Sequence, residues 1–443
     1  MVESVLKESS ETEDQNLAVA TQTHKQALKA SLAAYFGSAL DFYDFLVFGF
    51  VASTIAPLFF PSSNPLFSLL LTFATFAVGF GMRPVGAIVF GHLGDKWLGR
   101  KNALIVTILM MGLICVGMGV LPTYQQIGIA APIGMIVFRL LQGFALGGEF
   151  GGGATFTAEN APPKWRGFYV GILQMSNNSL ISVAVLSFLT SSLTHAQFVA
   201  YGWRIMFLLG IIIALAGLIL RLWLIETPVF EAAKEKKDIV KVPIRDVLVK
   251  YHKQVLQAIG FSVAATVSIY MVSVFAISYL TTFIHVPISS ASNAVLIGSI
   301  VILVLTPLTG ILADKIGRKP LLIASWASLA LWSYPFFLLI STGNYTDLVI
   351  GFVVFYALFS LDAAAGVTLL TELFPTNVRY TAVSFVYHTN TGIFGGLTPL
   401  IATYLIYVTG YHLAPLYWLF GALVISLIAA LTVKETKGKV FTA

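Results

Sequence analysis

Long apolar runs separated by short polar connections recur along the whole chain. Twelve of them reach the roughly 20 residues that a helix needs to cross a bilayer core. They cover 30–56, 66–90, 102–121, 132–157, 168–193, 204–225, 255–284, 293–312, 320–341, 348–371, 381–408 and 413–433. Barrel strands need only ~10 residues and alternate in polarity, so the pattern predicts an all-α integral membrane protein with twelve transmembrane helices.

The connections differ sharply in charge. The even-numbered ones contain Lys96, Arg100, Lys101, Lys164, Arg166, a cluster from Lys234 to Lys253, Lys315, Arg318, Lys319 and Arg379. The odd-numbered ones (57–65, 122–131, 194–203, 285–292, 342–347 and 409–412) contain no Lys or Arg. Basic loops stay on the cytoplasmic side, which places both termini there and the protein in the cell membrane.

The longest connection, 226–254, separates six spans from six. Thr227-Pro228 is a fair helix start, and Ile244, Val247, Leu248 and Tyr251 recur at helical spacing. The expected organisation is a disordered cytoplasmic tail over 1–28, a six-helix bundle over 29–225, a cytoplasmic linker with an amphipathic helix over 226–254, a second bundle over 255–433 and a tail over 434–443. The N-terminus lacks the apolar core of a signal peptide.

Composition supports this picture. Of the 443 residues, 57% are hydrophobic and only 10% charged, against roughly 25% charged in a soluble chain. The net charge of +6 sits in loops between apolar runs, where it orients helices rather than binding nucleic acid. With one cysteine, Cys115, the chain has no internal disulfide and no thiolate metal cluster. No cofactor or metal is expected, and a monomer is.

Two segments recur. GHLGDKWLGRK begins at Gly91 and GILADKIGRK at Gly310, each between the second and third span of its half. Glu159, Pro162 and Arg166 repeat as Glu372, Pro375 and Arg379, and the same offset carries Glu149 onto Asp362 and Asn177 onto Asn390. Two pseudo-symmetric six-helix bundles follow, with a binding site near the midplane between them. The loop residues Gly91, Asp95, Arg100, Asp314 and Arg318, with Glu159, Arg166, Glu372 and Arg379, are candidates for a cytoplasmic gate.

A charge at the bilayer centre costs at least ~2.5–3.5 kcal/mol. Six residues bear that cost: Asp41, Asp44, Arg83, Arg139, Glu149 and Asp362. Four acids facing two arginines leave an excess of negative charge, which suggests proton or cation binding. Asp41 and Asp44 share a helix face and raise one another's proton affinity. Asp44 with Arg139 is the preferred switch; a static ion pair is the alternative. Arg83 either holds an anionic substrate group or packs the helices. The glycines of RLLQGFALGGEFGGG, spaced every four residues from Arg139, let another helix approach closely. Asn177 and Asn178 in span 5, and Tyr387, His388 and Asn390 in span 11, contact substrate or join helices. His388 suits a proton relay or rests as a neutral core residue. GIFGGLTP predicts a broken helix in span 11.

These motifs resemble the major facilitator superfamily, and within it the metabolite:proton symporters of citrate, α-ketoglutarate, shikimate, proline or betaine. The resemblance rests on GSALDFYDFLVFG, GMRPVGAIVFGHLGD, RLLQGFALGGEFGGG, GWRIMFLLG, RLWLIETPVF, GILADKIGRK and TELFPTNVRYTAVSFVYHTNTGIFGGLTP. It implies secondary symport through a central cavity and marks Arg83, Arg139, Gln142 and Glu149 as motif positions. Asp41, Asp44, Arg139 and Glu149 are thereby candidates for proton coupling. Arg83, Gln142, Asn177, Asn178, Asp362, Tyr387, His388 and Asn390 are candidates for substrate contact. The chain departs from the family pattern at Asp41-Phe42, where Glu-Trp is usual.

The two arginines favour an organic acid (a mono-, di- or tricarboxylate) carried with protons; a zwitterion such as betaine or proline is the alternative. A non-transporting membrane sensor is the reading from another class. An enzyme is not expected, since H-E-x-x-H and G-x-S-x-G are absent.

Overall fold

The computed structural model describes residues 24–93, 99–147, 151–178, 180–223 and 243–441. Where they are described, the predicted apolar runs lie mostly on helix, as a bilayer requires of backbone groups that have no water to bond. Among the described residues, eight helical stretches are long and apolar enough to cross a membrane. Ile105–Val120, Ala130–Leu146 and Leu180–Ser192 are shorter apolar helices. Leu331, 81% exposed, and Phe188, 69% exposed, point away from the protein, as lipid-facing residues do.

Local chemistry sets the ends and breaks. The Asn64 side chain accepts from the Leu66 N–H at 2.9 Å and starts Pro65–Gly81. Asn344 does the same for Tyr345–Leu373. Span 2 breaks at Met82, just before Arg83-Pro84. Span 5 tightens to a 3₁₀ turn over Met175–Asn178, between Arg166–Gln174 and Leu180–Ser192. Spans 7 and 11 each contain a π-turn, Met271–Phe275 and Thr391–Gly395; π-turns concentrate at functional sites. The second overlaps the glycine-rich stretch, GIFGGLTP from Gly392, expected to break span 11. Span 8, Ile288–Ile316, ends at Gly317, whose φ of +117° favours glycine, and span 9 begins at once with Arg318.

Residues 24–28 of the expected tail are helical. Helix His24–Phe50 starts inside it. Ala27 is fully buried with Ala161, Tyr169 and Ile172, and His24 Nδ1 lies 2.9 Å from the Tyr169 hydroxyl. Small alanines in a helix-favouring run let the segment pack on span 5. In the linker, Pro243–Lys250 is helical and packs on Thr376–Asn390. It buries Val247 while Leu248 and Val249 stay exposed. Thr227-Pro228 lies outside the described residues.

The halves meet along two seams: span 5 against span 8, and Pro65–Gly81 of span 2 against Gly396–Thr409 of span 11. At the cytoplasmic end of the first seam, glycine is obligatory. A Cβ on Gly310 would lie 2.3 Å from the Gly167 carbonyl oxygen, and one on Gly167 2.6 Å from that of Gly310. Within the first half, Gly143 crosses span 2 against Gly79, where a Cβ on Gly79 would lie 2.9 Å from the Arg139 carbonyl oxygen.

Candidate functional site

A cavity enclosing about 930 Å³ of empty space, part of it open to solvent, lies between the halves. Span 1 supplies Phe42 and Leu46, span 5 Gln174, span 7 a polar stripe of Ser262, Thr266, Tyr270 and Ser273, span 10 Phe359 and Asp362, and span 11 Tyr387, Asn390 and Thr391. Both π-turns contribute, through Ser273 and Thr391.

The cavity's charge is one-sided. Asp362 carries the one carboxyl group among its described lining residues, which include no Lys, Arg or His. Its side chain is 4% exposed, and no described side chain forms an ion pair with it. The carboxylate folds over Gly366: a Cβ there would lie 2.4 Å from Asp362 Oδ1. Neutral polar groups and apolar side chains such as Leu46, Ile302 and Phe359 complete the lining. Neither amide atom of Asn390 has a hydrogen-bond partner among the described residues, nor does Gln174 Oε1. Buried amides of this kind need a partner.

Several expected contact residues sit elsewhere. Arg83 is buried with its guanidinium 4.2 Å from the Phe80 ring. Arg139 is clamped by Phe48 and Phe76, at 4.6 and 4.9 Å, and donates to Gln142 Oε1 at 2.5 Å. Gln142 in turn reaches Cys115 Sγ at 3.5 Å. His388 is buried. None of these four lines the cavity. Asp95 and Glu149 lie outside the described residues, as do the side chains of Asp41, Asp44, Arg100, Asn177 and Asn178; Gly91 belongs to helix Arg83–Leu93. Thr266, Tyr270, Ser273 and Gln174 were not anticipated. The repeat offset does carry Gln174 onto Tyr387, and the span 7 residues recur at helical spacing.

On the cytoplasmic side the repeat residues pair crosswise. Arg166 NH1 lies 2.7 Å from Glu372 Oε1, and Arg379 NH1 2.5 Å from Glu159 Oε1. Each arginine also donates its Nε–H to the end of the preceding span: Arg166 to the Ala158 carbonyl at 3.1 Å, Arg379 to that of Thr371 at 2.9 Å. A pseudo-twofold axis between similar halves produces this exchange. Arg318 adds a second cation to Glu372, at 3.2 Å, and pairs with Asp314 at 2.9 Å. Asp314 accepts the Gly167 and Phe168 N–H groups, at 2.9 and 3.0 Å, across the glycine crossing. Burial pushes the Glu159 carboxyl up and Arg379 pulls it back.

The opposite side is closed by neutral contacts. Ser187 donates to Asn293, Thr190 meets Ser292 at 3.1 Å, and Thr281 donates to Ser53 at 3.2 Å. Ion pairs close one end and hydroxyls the other.

Two bundles enclosing a cavity with a few polar groups in an apolar lining, with seams at both ends, define a membrane transporter rather than an enzyme. The chain belongs to the sugar (and other) transporter family of the major facilitator superfamily, whose model matches residues 30–443. The proline/betaine transporter of Escherichia coli strain K12 is 32% identical over 422 residues, covering 93% of this chain and 84% of that one. The glycine betaine/proline/ectoine/pipecolic acid transporter OusA of Dickeya dadantii strain 3937 is 32% identical over the same length and coverage. Among solved structures, the partially occluded inward-open xylose transporter XylE of E. coli matches with a TM-score of 0.72 at 21% identity, covering 94% of this chain and all of that one. It shares the twelve-helix fold.

Proposed function

We propose that this protein imports a zwitterionic osmolyte of the betaine or proline type together with protons. The observation that carries the reading is the cavity's lining, with one carboxylate and no basic side chain among its described residues. The organic-acid reading rested on Arg83 and Arg139, and neither lines the cavity. A carboxylate cargo facing Asp362 would meet like charge. A zwitterion instead offers a cation to Asp362 and a carboxylate to neutral donors. The relatives' names, which concern proline, betaines and similar zwitterions, support the same choice.

A quaternary ammonium donates no hydrogen bond, so charge and aromatic faces must hold it; a cation over a ring gains ~0.5–2 kcal/mol, the higher figure when desolvated. Phe42, Tyr270, Phe359 and Tyr387 supply rings around the cavity. The Asn390 amide N–H groups, without a partner among the described residues, suit the carboxylate end. Asp41, Asp44 and Arg139 are proposed to couple transport to the proton. Asp44→Asn should abolish proton-driven accumulation and spare substrate exchange.

Proteoliposomes with an imposed pH gradient test the reading with labelled glycine betaine, proline, citrate and α-ketoglutarate. Accumulation of the first two supports it; accumulation of the acids alone overturns it.

A further inference from the structure

Arg166 and Arg379 face more than carboxylates. The ring of Phe441 lies between them, 3.7 Å from the Arg166 guanidinium carbon and 3.5 Å from that of Arg379. One arginine belongs to each half. Two like charges this near repel, and a ring offers each a negative face.

The segment that delivers Phe441 is anchored on the second half. It leaves span 12 at Thr432, and the Glu435 carboxylate accepts the Arg318 and Lys319 N–H groups at the start of span 9, at 3.1 and 2.9 Å. Thr436 donates to Glu372 Oε2 at 2.5 Å, and Lys439 Nζ donates to the Glu372 carbonyl at 2.6 Å. Only then does the segment reach the other half, where the Lys439 carbonyl accepts from Arg166 NH1 at 2.8 Å. When the halves part on the cytoplasmic side, the second-half contacts travel together. The contacts of Arg166 with Phe441, Lys439 and Glu372 must break.

We propose that residues 434–441 form a latch that holds the cytoplasmic side closed, with the Phe441 ring as its bolt. The segment stabilises the closed arrangement and contributes nothing to the parted one, so it sets the balance between them. Its bond is one of ring face to cation, beyond mere filling of space.

Spin labels at Lys164→Cys and Ile316→Cys, in a Cys115→Ser background of the full chain, report the separation of the halves by pulsed dipolar spectroscopy. Phe441→Ala should raise the long-distance population about fivefold to tenfold, the scale of two cation–ring contacts. Phe441→Leu should behave like the alanine variant, and Phe441→Tyr like the parent. If Phe441→Ala fails to reach the membrane, a protease site inserted after Lys437 allows the end to be cut from folded protein, with the uncut sample as control. Cutting should give the same shift. Unchanged distances after either removal, or a parent-like Phe441→Leu, overturn the latch.

Discussion

Gly366→Ala tests the proposed ammonium site without removing its charge. A Cβ at Gly366 would stand 2.4 Å from Asp362 Oδ1 and 3.2 Å from its Cγ, whereas ordinary contact begins at 3.4 Å. The carboxylate oxygen must therefore retreat by about 1 Å, taking ordinary contact as the end point. Moving a unit charge from about 4 to about 5 Å from its partner, at an effective dielectric of about 20, costs about 0.8 kcal/mol. That corresponds to about a fourfold rise in KM for glycine betaine. Asp362→Asn removes the whole attraction, about 4 kcal/mol on the same scale, and should raise KM by up to ~10³-fold. The assay is initial-rate uptake into proteoliposomes, normalised to reconstituted protein. A normal KM in both variants would refute the assignment of Asp362 to the substrate. A normal KM with lost accumulation in Asp362→Asn would make it a proton carrier instead.

Three other outcomes follow from the same geometry. Asn390→Ala should weaken glycine betaine by about tenfold, a charge-assisted hydrogen bond being worth ~1.5–3 kcal/mol, and should leave binding of choline, which lacks the carboxylate, unchanged in competition assays. Gly310→Val should insert cleanly into the membrane yet transport little, because its Cβ would meet the Gly167 carbonyl oxygen at 2.3 Å; uptake against surface expression checks this. Burial pushes the Glu435 carboxyl up, but the N–H groups of Arg318, Lys437, Lys319 and Thr436 outweigh it and hold the group below its ordinary value. A depressed acid stabilises docking above its free value and loses that stabilisation as pH falls through the docked one. Limited proteolysis of the C-terminal segment should therefore accelerate toward acid pH, and Glu435→Gln should show the acid rate already at neutral pH.

The architecture was legible because bilayer physics is severe. Runs of apolar residues long enough to cross the core admit few alternatives to helix, and the Lys/Arg asymmetry of the loops orients them. The constant offset between Glu159–Arg166 and Glu372–Arg379 made a two-bundle fold readable, and those residues pair crosswise at the seam. The cavity was harder to read. Asp362 stood out as a charge in an apolar run, but Thr266, Tyr270 and Ser273 carry none. Hydroxyls can also be satisfied on their own helix, as Thr266 is on the Ser262 carbonyl and Ser273 on that of Ile269. The charge of Arg83 left two roles open in the sequence, an anion ligand or helix packing, and its guanidinium lies over the Phe80 ring. Phe441 gave no signal, since its value depends on two arginines distant in sequence and brought together only by folding.

The charge moved in each cycle tests the central claim most directly. Glycine betaine has no net charge at neutral pH, so carrying it with a proton moves positive charge inward. A rapid jump in glycine betaine over proteoliposomes on a solid-supported membrane should give a current of that sign. The current should scale with the imposed pH gradient and vanish in Asp44→Asn. No current, or one of opposite sign evoked by citrate but not by glycine betaine, would contradict the account.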